Sequence, residues 1–447
     1  MAKNTCDKIG GIEMASTIIK PIAVFRDIIK NADISLDYED IPKKPIKRML
    51  KLFETVDDTR LESNTDYPLH EILMIAFFAT LSGAQGWTDY QNFGITKEKW
   101  LRRFMTLECG IPSHDTFRRV FALIDPEHLQ KATTTFLIEN IKIIKRAFKI
   151  DIDGLRQYCV DGKEAKGTGR NPGFEKDKIR NLQTLHVYDL SDGICLVSKA
   201  IDTKTNEIPT AQEALGAMQL KDVLITFDAL HTQRETVAVI VKQKGDYIGA
   251  LKGNQEGLFE EVGAYFTPKR LQQIRDKKEA YYETKEKAHN CIEKRQYYLT
   301  KNTGWFFNKD AWAKLKSFIC YIKTSENIRT GKITTEKRYY IASLTYVETC
   351  ADGIRGHWSV ENSLHWQLDA NFEEDDNMTV DRNAFHNFSL MNKLALSLTK
   401  LASYVLKKSV RSTRKITGWD IDSIVKILCA FDEDILTNAL MSVPVKK

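Results

Sequence analysis

Residues 223–233 read Val-Leu-Ile-Thr-Phe-Asp-Ala-Leu-His-Thr-Gln, a short apolar run that ends in Asp228. Such a run bounded by turn residues predicts a strand buried on both faces. An apolar strand gains nothing structurally by ending in a charge. Residues 157–162, Gln-Tyr-Cys-Val-Asp-Gly, repeat the arrangement with Asp161. In an open α/β sheet, side chains at the carboxyl ends of strands point into the functional crevice. One such aspartate is more often a helix cap or a turn residue. Two on candidate neighbouring strands point instead to a site.

Around these strands the pattern alternates. Gln183–Leu190 and Ile194–Ala200 predict a hairpin across Ser191-Asp-Gly193. Pro209 opens a helix reaching Met218, Gln233–Lys242 is a second helix, and Tyr247–Leu251 is a further strand. A third carboxylate stands in His357-Trp-Ser-Val-Glu361-Asn-Ser-Leu-His-Trp-Gln-Leu-Asp369. Positions 357, 361, 364 and 368 share a helical stripe, which places Glu361 on the inner face with Leu364 and Leu368. A glutamate buried there needs a cation or a metal. Asp369 and Glu373-Glu-Asp-Asp376 are expected to be the solvated acidic end of that helix. Three carboxylates on two strands and a helix make the oxygen-rich site that magnesium prefers. A pair of such ions supports in-line phosphoryl transfer. The order of elements describes an α/β, ribonuclease-H-like catalytic core.

The composition is compatible with that chemistry without requiring it. The chain has 447 residues, 43% hydrophobic, with a net charge of +6. At about 150 residues per domain this predicts two or three domains and an ample core. A near balance of acidic and basic residues tolerates a nucleic-acid partner. The longest apolar run, 72–81, falls well short of the roughly 20 residues that span a bilayer, so no membrane partner is expected. Lys8, Glu13 and Lys20 interrupt any apolar leader, and eight scattered cysteines show no zinc spacing. Reduced thiols and a cytoplasmic location follow as the expectation.

Several strings together resemble the DDE transposases of bacterial insertion sequences, in particular the H-repeat-associated group. They are Asp161-Gly-Lys, Thr205-Asn-Glu-Ile, Thr226-Phe-Asp228-Ala-Leu-His-Thr-Gln233, Leu251-Lys-Gly-Asn-Gln255, Arg338-Tyr-Tyr-Ile-Ala-Ser-Leu and the segment around Glu361. Gly110-Ile-Pro-Ser-His-Asp-Thr-Phe-Arg-Arg-Val-Phe is similar to the helical region preceding catalysis in that group. The resemblance covers roughly residues 45 to 400. It implies a catalytic, metal-binding triad of Asp161, Asp228 and Glu361, with Mg2+ or Mn2+ as a pair of ions. It also implies DNA as the partner, both transposon ends with terminal inverted repeats and target DNA, and assembly as a homodimer or higher on DNA. Many related insertion sequences carry Tyr-x2-Arg-x3-Glu-x6-Lys around the glutamate. Here Ile354, His357 and Leu368 occupy those places, so the phosphate contacts differ. The competing expectations are a catalytically silent, transposase-derived DNA-binding protein and a structure-specific nuclease of the same fold.

The implied organisation is an N-terminal extension at 1–40, a helical, DNA-binding domain at 41–150, and a catalytic core at 151–256 and 351–400. A β-rich insertion occupies 257–350 and a basic helical tail 401–447. In the helical domain, Gly110 stops one helix and Ser113 caps the next, an order resembling a helix-turn-helix. An ordinary packed helical hairpin is the alternative; Arg118 and Arg119 on that second helix are candidate phosphate contacts, and the helical domain at 45–135 is expected to bind DNA by itself. Lys163 and Lys166, read as loop residues, and His357 complete the candidate DNA-binding set. His231 and Gln233 suit either positioning of a nucleophilic water or capping of the following helix, and Asn254 and Gln255 fit helix capping. Trp358 and Trp366, two helical turns apart, are expected in the core. The basic cluster Lys407, Lys408, Arg411, Arg414 and Lys415 suits either a phosphate track or a solvated helix end.

Overall fold

The computed structural model describes residues 17–18, 20, 24–28, 42–60, 65–150, 153–170, 179–201, 206–277, 280–288 and 290–441. Most of the expected N-terminal extension and Thr205 lie outside the described residues. The chain forms two compact units. One comprises Met1–Ile19, Asp153–Gln157 and Gln219–Arg355; the other comprises Lys20–Ile152, Tyr158–Met218 and Gly356–Lys447.

The second unit begins with helices α1 (Lys43–Glu54), α2 (Leu69–Leu81), α3 (Trp87–Leu101), α4 (His114–Leu123) and α5 (Pro126–Ala147). α2 is apolar all round and buried along nearly its whole length, as such a helix must be. Its one acid, Glu71, is buried and accepts hydrogen bonds from the Thr106 and Leu107 amides. Between α3 and α4 the chain turns at Gly110, whose φ of 77° favours glycine. Ser113 then caps α4, its Oγ accepting from the Thr116 amide. Phe117, Val120 and Phe121 face inward, which leaves Arg118 and Arg119 outside. Next come β1 (Arg156–Ala165), β2 (Leu182–Asp189) and β3 (Ile194–Ile201), an antiparallel meander with Asp161 opposite His186. The β2–β3 turn is held by Asp189, which accepts from the Ser191 and Asp192 amides. α6 (Glu207–Gly216) follows.

The same unit resumes near residue 356 and contains α11 (Trp366–Phe372), α12 (Arg382–Val405), α13 (Val410–Trp419), α14 (Asp422–Cys429) and α15 (Glu433–Met441). α12 packs against α2, α4 and α5. Phe388 on α12 meets Trp87 edge to face at 5.5 Å and stacks on Tyr90 at 5.9 Å, and Asn387 donates to the Phe121 and Ile124 carbonyls that end α4. One apolar core therefore joins the helices before β1 to those after Glu361.

In the first unit, β4 (Val223–Phe227) is buried at every position and pairs in parallel with β5 (Asp246–Leu251) across α7 (Arg234–Lys242). Gly249 must be glycine, because a Cβ there would lie 2.5 Å from the Phe227 ring. After β5 come α8 (Glu256–Tyr265) and α9 (Pro268–Arg275), then β6 (Tyr281–Ala288), β7 (Cys291–Thr300), β8 (Ser317–Asn327) and β9 (Ile333–Ala342). These four strands are antiparallel, and β9 pairs back onto β5. β6 is rich in charged residues, which find cross-strand partners such as Glu283 with Lys294 at 3.1 Å. Leu224, Ile248 and Ile319 form the core with Val347, Cys350 and Ile354 of α10 (Val347–His357). The described elements make a mixed α/β fold with a helical N-terminal region. Among the described residues no helix is long and apolar enough to cross a membrane.

Candidate metal and DNA-processing site

β1 carries Asp161 and continues to Ala165, so Lys163 stands on a strand rather than in a loop. This changes its environment. The Lys163 side chain is 8% exposed, and Nζ lies 2.6 Å from Asp369 Oδ1 and 3.1 Å from Asp375 Oδ1. Burial opposes its charge, but Glu374, Asp369 and Asp375 outweigh burial and raise its pKa. Asp369, expected to be solvated, is thus the partner of a buried lysine, and burial raises its own pKa against the pull of Lys163. Lys166 is exposed and pairs with Asp375 at 3.0 Å. Gly167 lets this turn approach the 375–377 backbone, where a Cβ would meet the Asn377 carbonyl at 2.5 Å.

Glu361 comes from the helical run after α10, where residues Glu361–His365 form a π-turn. Bonding from i to i+5 widens the turn and slips the helical phase. Consequently Val360, Leu364, His365 and Leu368 are buried while the Glu361 side chain is 63% exposed. The expected inner stripe through 357, 361, 364 and 368 is corrected at Glu361 by that slip. The same outward face carries Trp358 and Trp366, which are 49% and 53% exposed instead of sitting in the core. Lys400 on α12 donates to the Ser363 carbonyl within the π-turn at 3.4 Å and to the Tyr188 hydroxyl at 2.7 Å. Burial lowers its pKa to about 8.

The π-turn brings His365 to the two carboxylates. Its Nδ1 lies 3.2 Å from Glu361 Oε2 and 3.8 Å from Asp161 Oδ2, and one donor atom from each residue falls within 4.8 Å of the others. Its Nε2 is 3.1 Å from Nδ1 of His186, the residue opposite Asp161 on β2. Burial lowers the pKa of His365, partly offset by Glu361, and holds that of His186 well below its usual value. Burial thus favours the neutral form of both rings, the form in which imidazole binds metals. Ligands in adjacent positions of an octahedral ion with bonds of about 2.1 Å lie about 3 Å apart, so this donor set fits a divalent cation. Sequence reasoning missed His365 and His186. The available signal was the recurrence of His-Trp at 357 and 365 around Glu361.

Asp228 ends β4 in the first unit, and its Oδ1 accepts from the Leu230 and His231 amides. The loop beyond it is tied by side chains rather than by caps. Asn254 donates to the Ala229 carbonyl, Gln255 donates to the Thr232 carbonyl and to Gln233 Oε1, and neither Gln233 nor Gln255 makes a capping bond. Arg118 pairs with Asp115 at 3.5 Å, and Arg119 donates to the Asp115 carbonyl. Arg118 also lines a cavity of about 440 Å³ with Trp87 and residues 376–381. His357 is half-buried at the end of α10, one turn before Glu361. In the basic cluster Arg414 is buried, donating to the Thr80 and Ala84 carbonyls, while Lys407, Lys408, Arg411 and Lys415 are exposed.

Known proteins resemble this chain along most of its length. The Transposase DDE domain family matches residues 153–398, and the DDE_Tnp_1-associated family matches residues 50–137. An uncharacterized protein in the dhlA 3' region of Xanthobacter autotrophicus is 34% identical over 294 residues, 66% of this chain and 93% of that protein. The H repeat-associated protein YhhI of Escherichia coli K12 is 27% identical over 390 residues, 86% of this chain and 98% of that protein. Among solved structures, a piggyBac transposase synaptic complex with hairpin DNA aligns with 99% of this chain and 86% of that chain at 12% identity. Its TM-score of 0.33 is too low to carry an argument. The matched domain spans more than half of the sequence, and the chain belongs to the DDE transposase family of bacterial insertion sequences.

Proposed function

We propose that this protein binds the terminal inverted repeats of an insertion sequence and catalyses metal-dependent cleavage of DNA and transfer of the cut strand to target DNA. The observation that carries the reading is the convergence of Asp161 and Glu361, from a strand and a helix far apart in sequence, on one donor cluster. In this reading Asp161 and Glu361 hold divalent metal, Mg2+ or Mn2+ as a pair of ions. Asp228 is assigned the third carboxylate on its sequence motif. Metal bound there stabilises charge on the attacking and leaving oxygens of an in-line displacement. The protein's own part is to position: Lys163 ties β1 to the chain after Glu361, and the π-turn presents the Glu361 carboxylate to solvent and substrate. Lys166, Arg118, Arg119 and His357 are assigned to DNA phosphate, whereas the Lys163 ammonium is assigned to its two aspartates. The active species is a homodimer or higher assembly on DNA, located at the bacterial nucleoid.

Asp161→Asn, Asp228→Asn and Glu361→Gln should each abolish cleavage and joining while leaving inverted-repeat binding within about twofold, since losing ion positioning removes the main electrostatic contribution. Gel-shift titrations beside a strand-transfer assay with divalent metal make the comparison. Cleavage without joining by the unaltered protein would favour a nuclease, and neither activity in the presence of firm DNA binding would favour a silent DNA-binding protein.

A further inference from the structure

His365 is 4% exposed, and each of its ring nitrogens faces a partner. Nδ1 faces Glu361 Oε2 at 3.2 Å and Asp161 Oδ2 at 3.8 Å; Nε2 faces His186 Nδ1 at 3.1 Å. Two neutral arrangements of the pair are possible. In one, His186 donates from Nδ1 to His365 Nε2, and His365 donates from Nδ1 to Glu361. In the other, His365 donates from Nε2 to His186 Nδ1, and the lone pair on His365 Nδ1 points at the two carboxylates. That second arrangement is repulsive at these distances unless a cation lies between the three groups, and with a cation it becomes the favourable one. A ligating histidine whose other nitrogen donates to a buried neighbour is the usual construction of a metal site.

We propose that His365, through Nδ1, is a ligand of the divalent ion held by Asp161 and Glu361, that His186 fixes the tautomer presenting that nitrogen, and that the centre binds Mn2+ more tightly than Mg2+. The proposal rests on the metal-binding reading of the two carboxylates and adds a nitrogen donor to an otherwise oxygen-only set. Imidazole favours transition ions, whereas magnesium prefers oxygen ligands, so one nitrogen shifts selectivity toward manganese. All four residues lie within the second compact unit, so the site is built by β1, β2 and the π-turn alone. His186 is 1% exposed, and its Nε2 has no hydrogen-bond partner among the described residues. That nitrogen can therefore carry the ring's proton or leave it without breaking another bond, and the tautomer change stays local.

The test is Mn2+ binding to the full chain without DNA, followed by electron paramagnetic resonance and by competition with Mg2+. Pulsed spectra of the unaltered protein should show coupling to a directly bound 14N nucleus. His365→Gln should lose that coupling and weaken Mn2+ binding by about tenfold to a hundredfold, and His186→Gln should keep the coupling but weaken binding by about tenfold. Mn2+ that binds, is lost in Asp161→Asn, and shows no 14N coupling would overturn the role of His365 while leaving the carboxylate site intact. Coupling that survives in His365→Gln, or equal affinity for Mn2+ and Mg2+, would also overturn the proposal. Failure of the unaltered protein to bind Mn2+ at all would remove the underlying metal-binding reading. If His365→Gln does not fold, the spectrum of the unaltered protein alone still decides whether nitrogen is bound.

Discussion

Lys163 stands two residues from Asp161, and its charge is enclosed by Asp369 and Asp375. Removing one member of a buried pair leaves the others uncompensated, whereas partly exposed carboxylates recover some solvation. Lys163→Met should therefore lower stability by about 2 kcal/mol in urea unfolding, while Asp369→Asn, which leaves Asp375 in place, should lose less and keep appreciable cleavage. A cleavage-dead Asp369→Asn with an active Glu361→Gln would reverse the assignment of those two acids. Lys400 makes a second prediction. Burial moves its pKa from the usual 10.5 to about 8, so the folded state releases its proton before the unfolded chain does. The unfolded state then binds more protons as pH rises above 8, and stability from this group increases through that window. Lys400→Met should flatten the rise. Thermal midpoints from pH 7 to 10 in both proteins provide the check, and parallel slopes would remove Lys400 as the cause.

α4 and α13 both carry arginines, and their surroundings separate the roles. Arg118 and Arg119 lie on the exposed face of a helix whose other face is locked into the core by Phe117 and Phe121. Replacing each by Gln should weaken DNA binding across sequences and lower the slope of log affinity against log salt by about one unit per contact. An unchanged slope would make this helix structural. Arg414 on α13 lies 4.1 Å over the Phe372 ring and donates to two carbonyls at the end of α2. Arg414→Met should therefore cost about 2–3 kcal/mol in stability, because buried carbonyls lose a charged donor, and should leave the salt slope unchanged.

α2 is buried by a helix more than 300 residues further along the chain. α12 supplies Phe388 and Asn387 to the turns around α3 and α4, so residues 42–150 expressed alone would expose the apolar face that α12 covers. The segment expected from sequence to bind DNA by itself should instead be unfolded or aggregated, with hydrogen-exchange protection appearing only when residues 356–441 are present. A protected, monomeric 42–150 fragment would show that its own contacts suffice.

Sequence alone determined the strand that ends before Asp228, the presence though not the end of the strand through Asp161, the β2–β3 hairpin, the Ser113 cap and the family. Those features depend on short apolar runs, turn residues and motifs that act over a few positions. The face on which Glu361 sits was decided by the tertiary structure. A π-turn shifts helical phase, and a stripe drawn at 3.6 residues per turn cannot register it; Trp358 and Trp366 were misplaced for the same reason. Lys163 resembled a solvated loop lysine because its partners lie some 200 residues away. His186 carries no local signature, and the His-Trp repeat at 357 and 365 does not say which histidine meets the carboxylates. His186 and His365 become a pair only where β2 meets the π-turn, and their meaning arises from burial, which lowers the pKa of both rings, and from a distance that no local pattern encodes.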